Sequence, residues 1–81
     1  MNVKKILDKM HQSPQNIRYS ELVAVCQAFF GEPRQQGTSH CVFKTPWQGN
    51  PRVNIQGKNG MAKPYQVKQV LSAIAKLNGG E

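Results

Sequence analysis

The stretch GTSHCVFKT, Gly37–Thr45, changes from the composition of a turn to the alternation of a β-strand. It begins with a glycine and two hydroxyl residues, which are common in turns. Because side chains alternate along a strand, Cys41 and Phe43 are expected on one face. His40 and Lys44 are then expected on the opposite face. The stretch therefore predicts a half-buried strand that presents an imidazole where the turn ends.

A second strand is predicted by RVNIQ, which alternates without interruption. Val53 and Ile55 would point inward, whereas Arg52, Asn54 and Gln56 would point outward. Pairing this strand with the first gives a small antiparallel sheet. Its outward face would carry His40, Lys44, Arg52 and Asn54.

Three helices are predicted around these strands. VKKILDKM has apolar residues at helical spacing and is followed by Ser13-Pro14. A second helix is expected from an N-cap at Ser20 to a C-terminal cap at Gly31. Pro64 fits the first turn of a last helix. The predicted apolar stripe of that helix is Val67, Val70, Leu71, Ile74 and Leu77.

The order of these elements predicts an α+β fold. The 81 residues are enough for one domain but leave no room for crossover connections between parallel strands. We therefore expect the helices on one face of the sheet. Gly57 and Gly60 are expected to open a flexible basic loop before the last helix.

Charge is unevenly distributed along the chain. It contains 11 Lys and Arg against 4 Asp and Glu, a formal net charge of +7. No acidic residue occurs between Glu32 and Glu81, so that segment has a single sign and favours a polyanion. We expect nucleic acid as the partner. The cations of the segment are Arg34, Lys44, Arg52, Lys58, Lys63, Lys68 and Lys76.

The cysteines and histidines do not form a recognisable metal motif. Cys26 and Cys41 both fall on apolar patterns and are expected to be buried free thiols in a reducing compartment. Neither they nor His11 and His40 have the spacing of a zinc site. No cofactor is expected. No apolar run has the length of a signal-peptide core or a membrane span, so a cytoplasmic protein without membrane contact is expected.

Few catalytic mechanisms suit this residue inventory. Paired carboxylates, a P-loop and a complete serine triad are all missing from the sequence. A single histidine among cations remains, and RNA supplies its own nucleophile, the 2′-hydroxyl. A base that titrates near neutrality is then sufficient to start cleavage. Water, a lysine or Tyr65 would have to protonate the leaving 5′-oxygen.

The segments RQQGTSHCVFKTP, PRVNIQ and KPYQVKQVLSAI resemble, in this order, the HicA toxins of type II toxin–antitoxin systems. HicA toxins are small basic mRNA interferases with a fold like the double-stranded-RNA-binding domain, of order α-β-β-β-α. The resemblance implies a HicA-like domain over residues 18–81. An additional amphipathic helix and connector would precede it in residues 1–17, covering the core of the domain or, alternatively, forming a dimer.

The resemblance also implies roles for particular residues. His40 would be the one catalytic residue, Gly37 the turn glycine and Phe43 a core residue. HicA toxins often read Gly-Ser-His, whereas here Thr38 and Ser39 separate the glycine from the histidine, so the position of the hydroxyl is open. The expected RNA contacts are Gly37, Thr38, Ser39, Arg34, Lys44, Arg52 and Lys63.

The partner implied by the resemblance is a HicB-type antitoxin. In the family this protein neutralises the toxin and usually carries a DNA-binding part, so DNA would be contacted only indirectly. The sequence thus predicts a metal-independent endoribonuclease toxin. Two alternatives remain open at this point: a non-catalytic RNA-binding module, and a protein that binds DNA or only another protein. For DNA binding, no helix-turn-helix spacing is found.

Overall fold

The computed structural model of the protein describes residues 2–37, 40–49 and 52–79. The described strands form one antiparallel sheet in the order β1-β2-β3-β4, and the expectation of an α+β fold is confirmed. The expected order had three strands, and the two-residue strand β1 is additional to it. The elements are α1 (Val3–Gln12), a 3-10 turn (Pro14–Asn16), α2 (Tyr19–Phe30), β1 (Gln35–Gln36), β2 (His40–Phe43), β3 (Val53–Lys58), β4 (Met61–Ala62) and α3 (Pro64–Leu77).

Helix α1 has the predicted amphipathic character. Asn2 caps its N-terminus, because its side-chain oxygen accepts a hydrogen bond of 3.2 Å from the Lys5 N–H. Ser13 follows the last helical residue, as expected. Ile6 and Met10 lie on the predicted stripe and are buried. The helix therefore covers part of the core.

Helix α2 begins two residues earlier than the sequence predicts. Its N-cap is Arg18, and the prediction of Ser20 is wrong. The carboxylate of Glu21 reaches back and accepts a 2.9 Å hydrogen bond from the Arg18 N–H, which fixes the start of the helix. At the other end the expected cap is confirmed, since Gly31 has a φ of +82° and tolerates it without a Cβ.

The connector between α1 and α2 is part of the packed structure. Ile17 is fully buried. Its carbonyl accepts a hydrogen bond of 2.8 Å from the Ala62 N–H, and the Tyr19 N–H donates to the Gly60 carbonyl at 2.9 Å. The segment expected to be a simple connector therefore lies alongside β4.

The two predicted strands pair with each other in antiparallel register. Cys41 lies opposite Ile55, and Val42 lies opposite Asn54. Cys41 and Ile55 are buried on the inner side, whereas Asn54 is exposed. The predicted alternation is confirmed for both strands. It gives the sheet one face toward the helices and one polar face.

The prediction of a flexible loop from Gly57 to Gly60 is wrong. Gly57 belongs to β3 and pairs with Ala62 of β4. Asn59 and Gly60 have φ angles of +54° and +79°, the left-handed conformation that a two-residue hairpin turn requires. The basic residue Lys58 is therefore held on a strand.

Helix α3 begins with Pro64 at its first position, as predicted. Val67, Val70 and Ile74 are buried, which confirms the main part of the predicted stripe. The sequence did not predict that Gln66 would be buried too. Its side-chain oxygen accepts a 2.7 Å hydrogen bond from the Gln56 N–H, next to the point at which β4 ends.

All three helices share one core with the inner face of the sheet. Met10, Leu22 and Val67, one from each helix, are completely buried beside Ile55. Cys26 and Cys41 are free and buried, as the sequence predicted. The polar outer face is thereby left on the side of the sheet opposite this core.

Candidate functional site

The outer face of the sheet is formed by side chains of its two longest strands. It is defined here by His40 and Val42 of β2 and by Asn54 and Gln56 of β3. The register places His40 opposite Gln56 and Val42 opposite Asn54. The alternation of the strands sends these side chains away from the core.

His40 lies where β2 begins and is fixed at both its backbone and its ring. The Gly37 N–H donates a hydrogen bond of 2.7 Å to the His40 carbonyl. The His40 Nε2 lies 3.1 Å from Asn54 Oδ1. Because a carboxamide oxygen only accepts, Nε2 is the donor in this contact, and in a neutral imidazole the lone pair is then on Nδ1. An imidazole in this tautomer can accept a proton at Nδ1.

A cationic cleft of about 260 Å³ opens beside this pair. Among the residues that the structure describes, Arg34, Lys44 and Arg52 have no carboxylate partner. All three are exposed at the cleft, so their charges are available to an anion. The cationic cleft is lined by Arg34, Val42, Lys44, Trp47, Arg52 and Asn54, among others.

Trp47 forms one wall of the cationic cleft, but its ring is also used within the fold. The side chain is half-buried and packs against the core. The Lys76 ammonium lies over the ring, 4.8 Å from its centroid, in a cation–π contact. This packing favours a role for Trp47 in closing its loop over stacking of its ring on a base.

A second cleft of about 330 Å³ lies between β3 and the start of α3. We call it the amide cleft, because four of its residues carry side-chain amides. The sequence does not predict this cleft, because its α3 residues look like the ordinary polar residues that separate the apolar positions of a helix. The amide cleft is lined by Arg52, Asn54, Gln56, Tyr65, Gln66 and Gln69.

The predicted site residues are distributed over these features. Arg34, Lys44 and Arg52 come together in the cationic cleft, as expected of residues that contact one ligand. Lys63 lies elsewhere, with its ammonium donating to Gln56 Oε1 at 3.2 Å. Gly37 is next to His40, because its backbone N–H is hydrogen-bonded to the His40 carbonyl. Thr38 and Ser39 lie outside the described residues.

His40 itself lines neither cleft. It is linked to both by Asn54, which lines the cationic cleft and the amide cleft and holds the imidazole. The predicted catalytic and cationic residues therefore share one face of the sheet without forming a single enclosed pocket. The alternation of the sequence predicts that Asn54 points outward, but the contact of Asn54 with the His40 ring depends on the strand register.

On the inner side of the sheet, two ionisable groups, Tyr19 and Cys26, are held in their neutral forms. The Tyr19 hydroxyl donates a hydrogen bond of 3.1 Å to Cys41 Sγ. Burial, with help from that contact, raises the pKa of Tyr19 above its usual value. Burial also raises the pKa of Cys26 to about 12. Cys26 is therefore a protonated core thiol and not a nucleophile.

The described part of the chain has neither a metal-ligating cluster nor a helix able to span a membrane. It contains no group of three or more His, Cys, Asp or Glu side chains close enough to share a metal ion. Among the same residues, no helix has both the length and the apolar character needed to cross a bilayer.

No protein-family model, curated protein or solved structure matches this chain. The likeness to HicA toxins therefore depends on the quoted sequence segments alone.

Proposed function

We propose that this chain is a HicA-type toxin, an endoribonuclease that cleaves mRNA with His40 as its general base. The observation that carries the proposal is the contact between His40 and Asn54 on a sheet face beside cations that have no carboxylate partner among the described residues. Asn54 holds the imidazole in the tautomer with a free lone pair. Arg34, Lys44 and Arg52 supply positive charge beside it, where a phosphate backbone would be held.

The reaction requires little from the protein besides this arrangement. His40 Nδ1 removes the proton of an RNA 2′-hydroxyl, and the 2′-oxygen attacks the adjacent phosphorus. The bond from phosphorus to the 5′-oxygen breaks, and water protonates that oxygen. The products are a 2′,3′-cyclic phosphate and a 5′-hydroxyl end. General base catalysis of this kind contributes about 10²–10⁴-fold to the rate.

The order of elements supports a fold like the double-stranded-RNA-binding domain. From Tyr19 to Leu77 a helix is followed by antiparallel strands and a closing helix, with the helices on one face of the sheet. In this proposal α1 and its connector are an addition to the HicA-like domain of residues 18–81. The strand β1 is a second addition.

The proposed partner is a HicB-type antitoxin acting in the cytoplasm. Its inhibitory part would carry carboxylates that complement the cationic cleft, and DNA would be contacted only through the antitoxin. Opposite charges of this kind give fast association that weakens with salt. An antitoxin that covers the outer face would also cover His40.

A second candidate is a non-catalytic RNA-binding module. It is favoured by one observation: His40 lines neither cleft, so a strand held in the cationic cleft need not contact the imidazole. In that case the sheet face and its cations would hold RNA without cutting it. The two candidates differ only in whether His40 acts on a proton.

The decisive experiment compares two histidine variants. His40→Ala should abolish RNA cleavage and growth arrest, because no other described side chain on the outer face can accept the proton of the RNA 2′-hydroxyl. The matched control is His11→Ala, since His11 is exposed in the last turn of α1, away from the sheet. Thermal melting checks that both variants fold. A His40→Ala protein that still cleaves at the wild-type rate would overturn the catalytic assignment.

Asn54→Ala provides an independent check on the same site. Loss of its hydrogen bond to the ring should slow cleavage by about threefold to tenfold, the equivalent of one ordinary hydrogen bond. Gln48→Ala is the control, because Gln48 is an exposed amide that lines neither cleft. If cleavage is lost in both variants alike, the effect does not come from orientation of His40.

A further inference from the structure

The amide cleft has side chains that general base catalysis does not use. It contains one cation, one aromatic ring and four carboxamides, and among these side chains only that of Asn54 is hydrogen-bonded to the ring of His40. A phosphate needs cations, which are concentrated in the cationic cleft instead. Carboxamides offer both donors and acceptors, which match the edges of a nucleobase.

The hydrogen bonds of the cleft separate occupied amides from available ones. Gln66 is occupied at both ends: its oxygen accepts from the Gln56 N–H, and its nitrogen donates to the Tyr65 hydroxyl at 3.4 Å. The oxygen of Gln56 accepts from Lys63. The side-chain NH₂ groups of Asn54 and Gln56 are left without a partner among the described residues, and so is the whole amide of Gln69.

Tyr65 adds an aromatic surface to this cleft. It is one of two large apolar side chains that are exposed in the described part of the chain, with 61% of its surface accessible. Its hydroxyl is held at Gln66, at the sheet side of the helix. An exposed ring with a tethered hydroxyl has a face free to stack on a planar partner.

We propose that the amide cleft holds one unpaired nucleobase of the RNA strand, stacked on Tyr65 and hydrogen-bonded by the free amides. The inference rests on the proposed RNA function and extends it from the phosphate backbone to the base. A base in a duplex cannot stack on a side chain, so the ligand is a single strand. The cleft volume of about 330 Å³ lies within the range of small-ligand sites.

Arg52 joins the base site to the backbone site. It lines both the cationic cleft and the amide cleft, as Asn54 does. A strand that crosses the outer face can therefore place a phosphate at Arg52 and the neighbouring base against Tyr65. Asn54 would then be positioned beside that base while it holds the ring of His40.

The test is a binding measurement with two variants of Tyr65 and two ligands. Tyr65→Leu removes the aromatic face, and Tyr65→Phe keeps it while removing the hydroxyl. One ligand is a short RNA strand with 2′-O-methyl groups throughout, which cannot be cleaved. The other is inorganic polyphosphate, which has charge but no bases. Fluorescence anisotropy of the RNA strand gives its dissociation constant. The dissociation constant of polyphosphate is obtained from its competition with that strand.

We expect Tyr65→Leu to weaken binding of the RNA strand by about 5- to 150-fold, the value of one stacked base. Tyr65→Phe should bind the strand as the wild type does, and polyphosphate should bind all three proteins equally. Wild-type affinity of Tyr65→Leu for the strand would overturn the base site. So would an equal loss in both variants, because the hydroxyl contact and not the ring would then be responsible.

The outcome separates this inference from the proposed function. If the wild type does not bind the strand, both the base site and the RNA function are wrong. If the variants behave as expected but the wild type does not cleave an unmethylated strand, the base site stands and the enzyme assignment is wrong. If cleavage occurs and Tyr65→Leu leaves strand binding unchanged, only the base site is wrong.

Discussion

The ring of Tyr19 occupies the position at which a side chain of Gly57 would begin. A Cβ atom on Gly57 would lie 2.8 Å from Tyr19 Cγ, closer than real contacts allow. The same tyrosine donates its hydroxyl hydrogen bond to Cys41. One aromatic side chain at the start of α2 thus connects two strands across the inner face, and the absence of a side chain at Gly57 makes room for it.

Gly57→Ala should therefore destabilise the protein, although the residue lies in a strand. The added methyl must displace the Tyr19 ring, and overpacking of this kind costs about 1–3 kcal/mol. Urea denaturation measures the loss. Gly37→Ala is the control, because a Cβ there would be 3.7 Å from the nearest atom, an ordinary contact. Equal stability of the two variants would show that the ring can move aside freely.

Stability should fall in acid through Glu21. The hydrogen bond from the Arg18 N–H, aided by Lys9 at 3.3 Å, lowers the pKa of this carboxyl below its usual value. The unfolded chain then binds a proton before the folded one does, as the pH drops from about 5. The contribution of Glu21 to stability is present above the unfolded pKa and lost as the pH falls through the folded one.

Glu21→Gln tests this assignment. Its unfolding free energy should be lower at pH 7 and should depend less on pH in the acidic range below the usual pKa of a glutamate. Asp8→Asn is the control, since Asp8 is exposed on α1 and has no hydrogen-bond partner among the described residues. A wild-type acid profile for Glu21→Gln would mean that another carboxyl is responsible.

The cationic cleft should determine the salt dependence of RNA binding. Each phosphate neutralised on a single strand contributes about 0.7 to the slope of log K against log salt concentration. Arg52→Gln should lower that slope by about this amount. Lys4→Gln should leave it unchanged, because Lys4 is exposed on α1 and not on the outer face. Similar slopes for the two variants would argue against a phosphate at Arg52.

Cleavage should persist in excess EDTA. In the proposed reaction His40 and the 2′-hydroxyl supply the base and the nucleophile, so a divalent ion has no required role. The products should carry 2′,3′-cyclic phosphate ends, which mass spectrometry identifies. A substrate with a single 2′-deoxy position should resist cleavage at that nucleotide only. A strict requirement for a divalent metal, or cleavage at the deoxy position, would contradict this chemistry.

The elements that were predicted well from the sequence are those in which apolar residues recur at a regular spacing over several positions. Alternation identified which side chains of β2 and β3 face outward, including Asn54. The two-residue strands are too short for any period, and β4 escapes prediction because Gly57 and Gly60 indicate a flexible loop, whereas Asn59 and Gly60 form a hairpin turn. The start of α2 at Arg18 was missed because Glu21, and not a preceding hydroxyl, satisfies the first backbone N–H.

The clefts could be predicted only in part, for a related reason. The cations of the acid-free segment were recognised from charge, and three of them do meet in space. Which of them share a cleft depends on how the strands are paired. The amide cleft depends on the packing of α3 against β3, since a buried glutamine such as Gln66 has no signature in a single sequence.

The hydrogen bond from the Gln56 N–H to Gln66 has a consequence for how other molecules can approach the sheet. The backbone of β4 is likewise occupied, because its Ala62 N–H donates to Ile17. At the opposite side the last strand, β1, is only two residues long. A sheet whose borders are covered or short offers little template for an added strand, in a partner or in an aggregate. Recognition by strand addition is therefore disfavoured, whereas the outer face, where the two clefts meet at Arg52 and Asn54, offers exposed side chains.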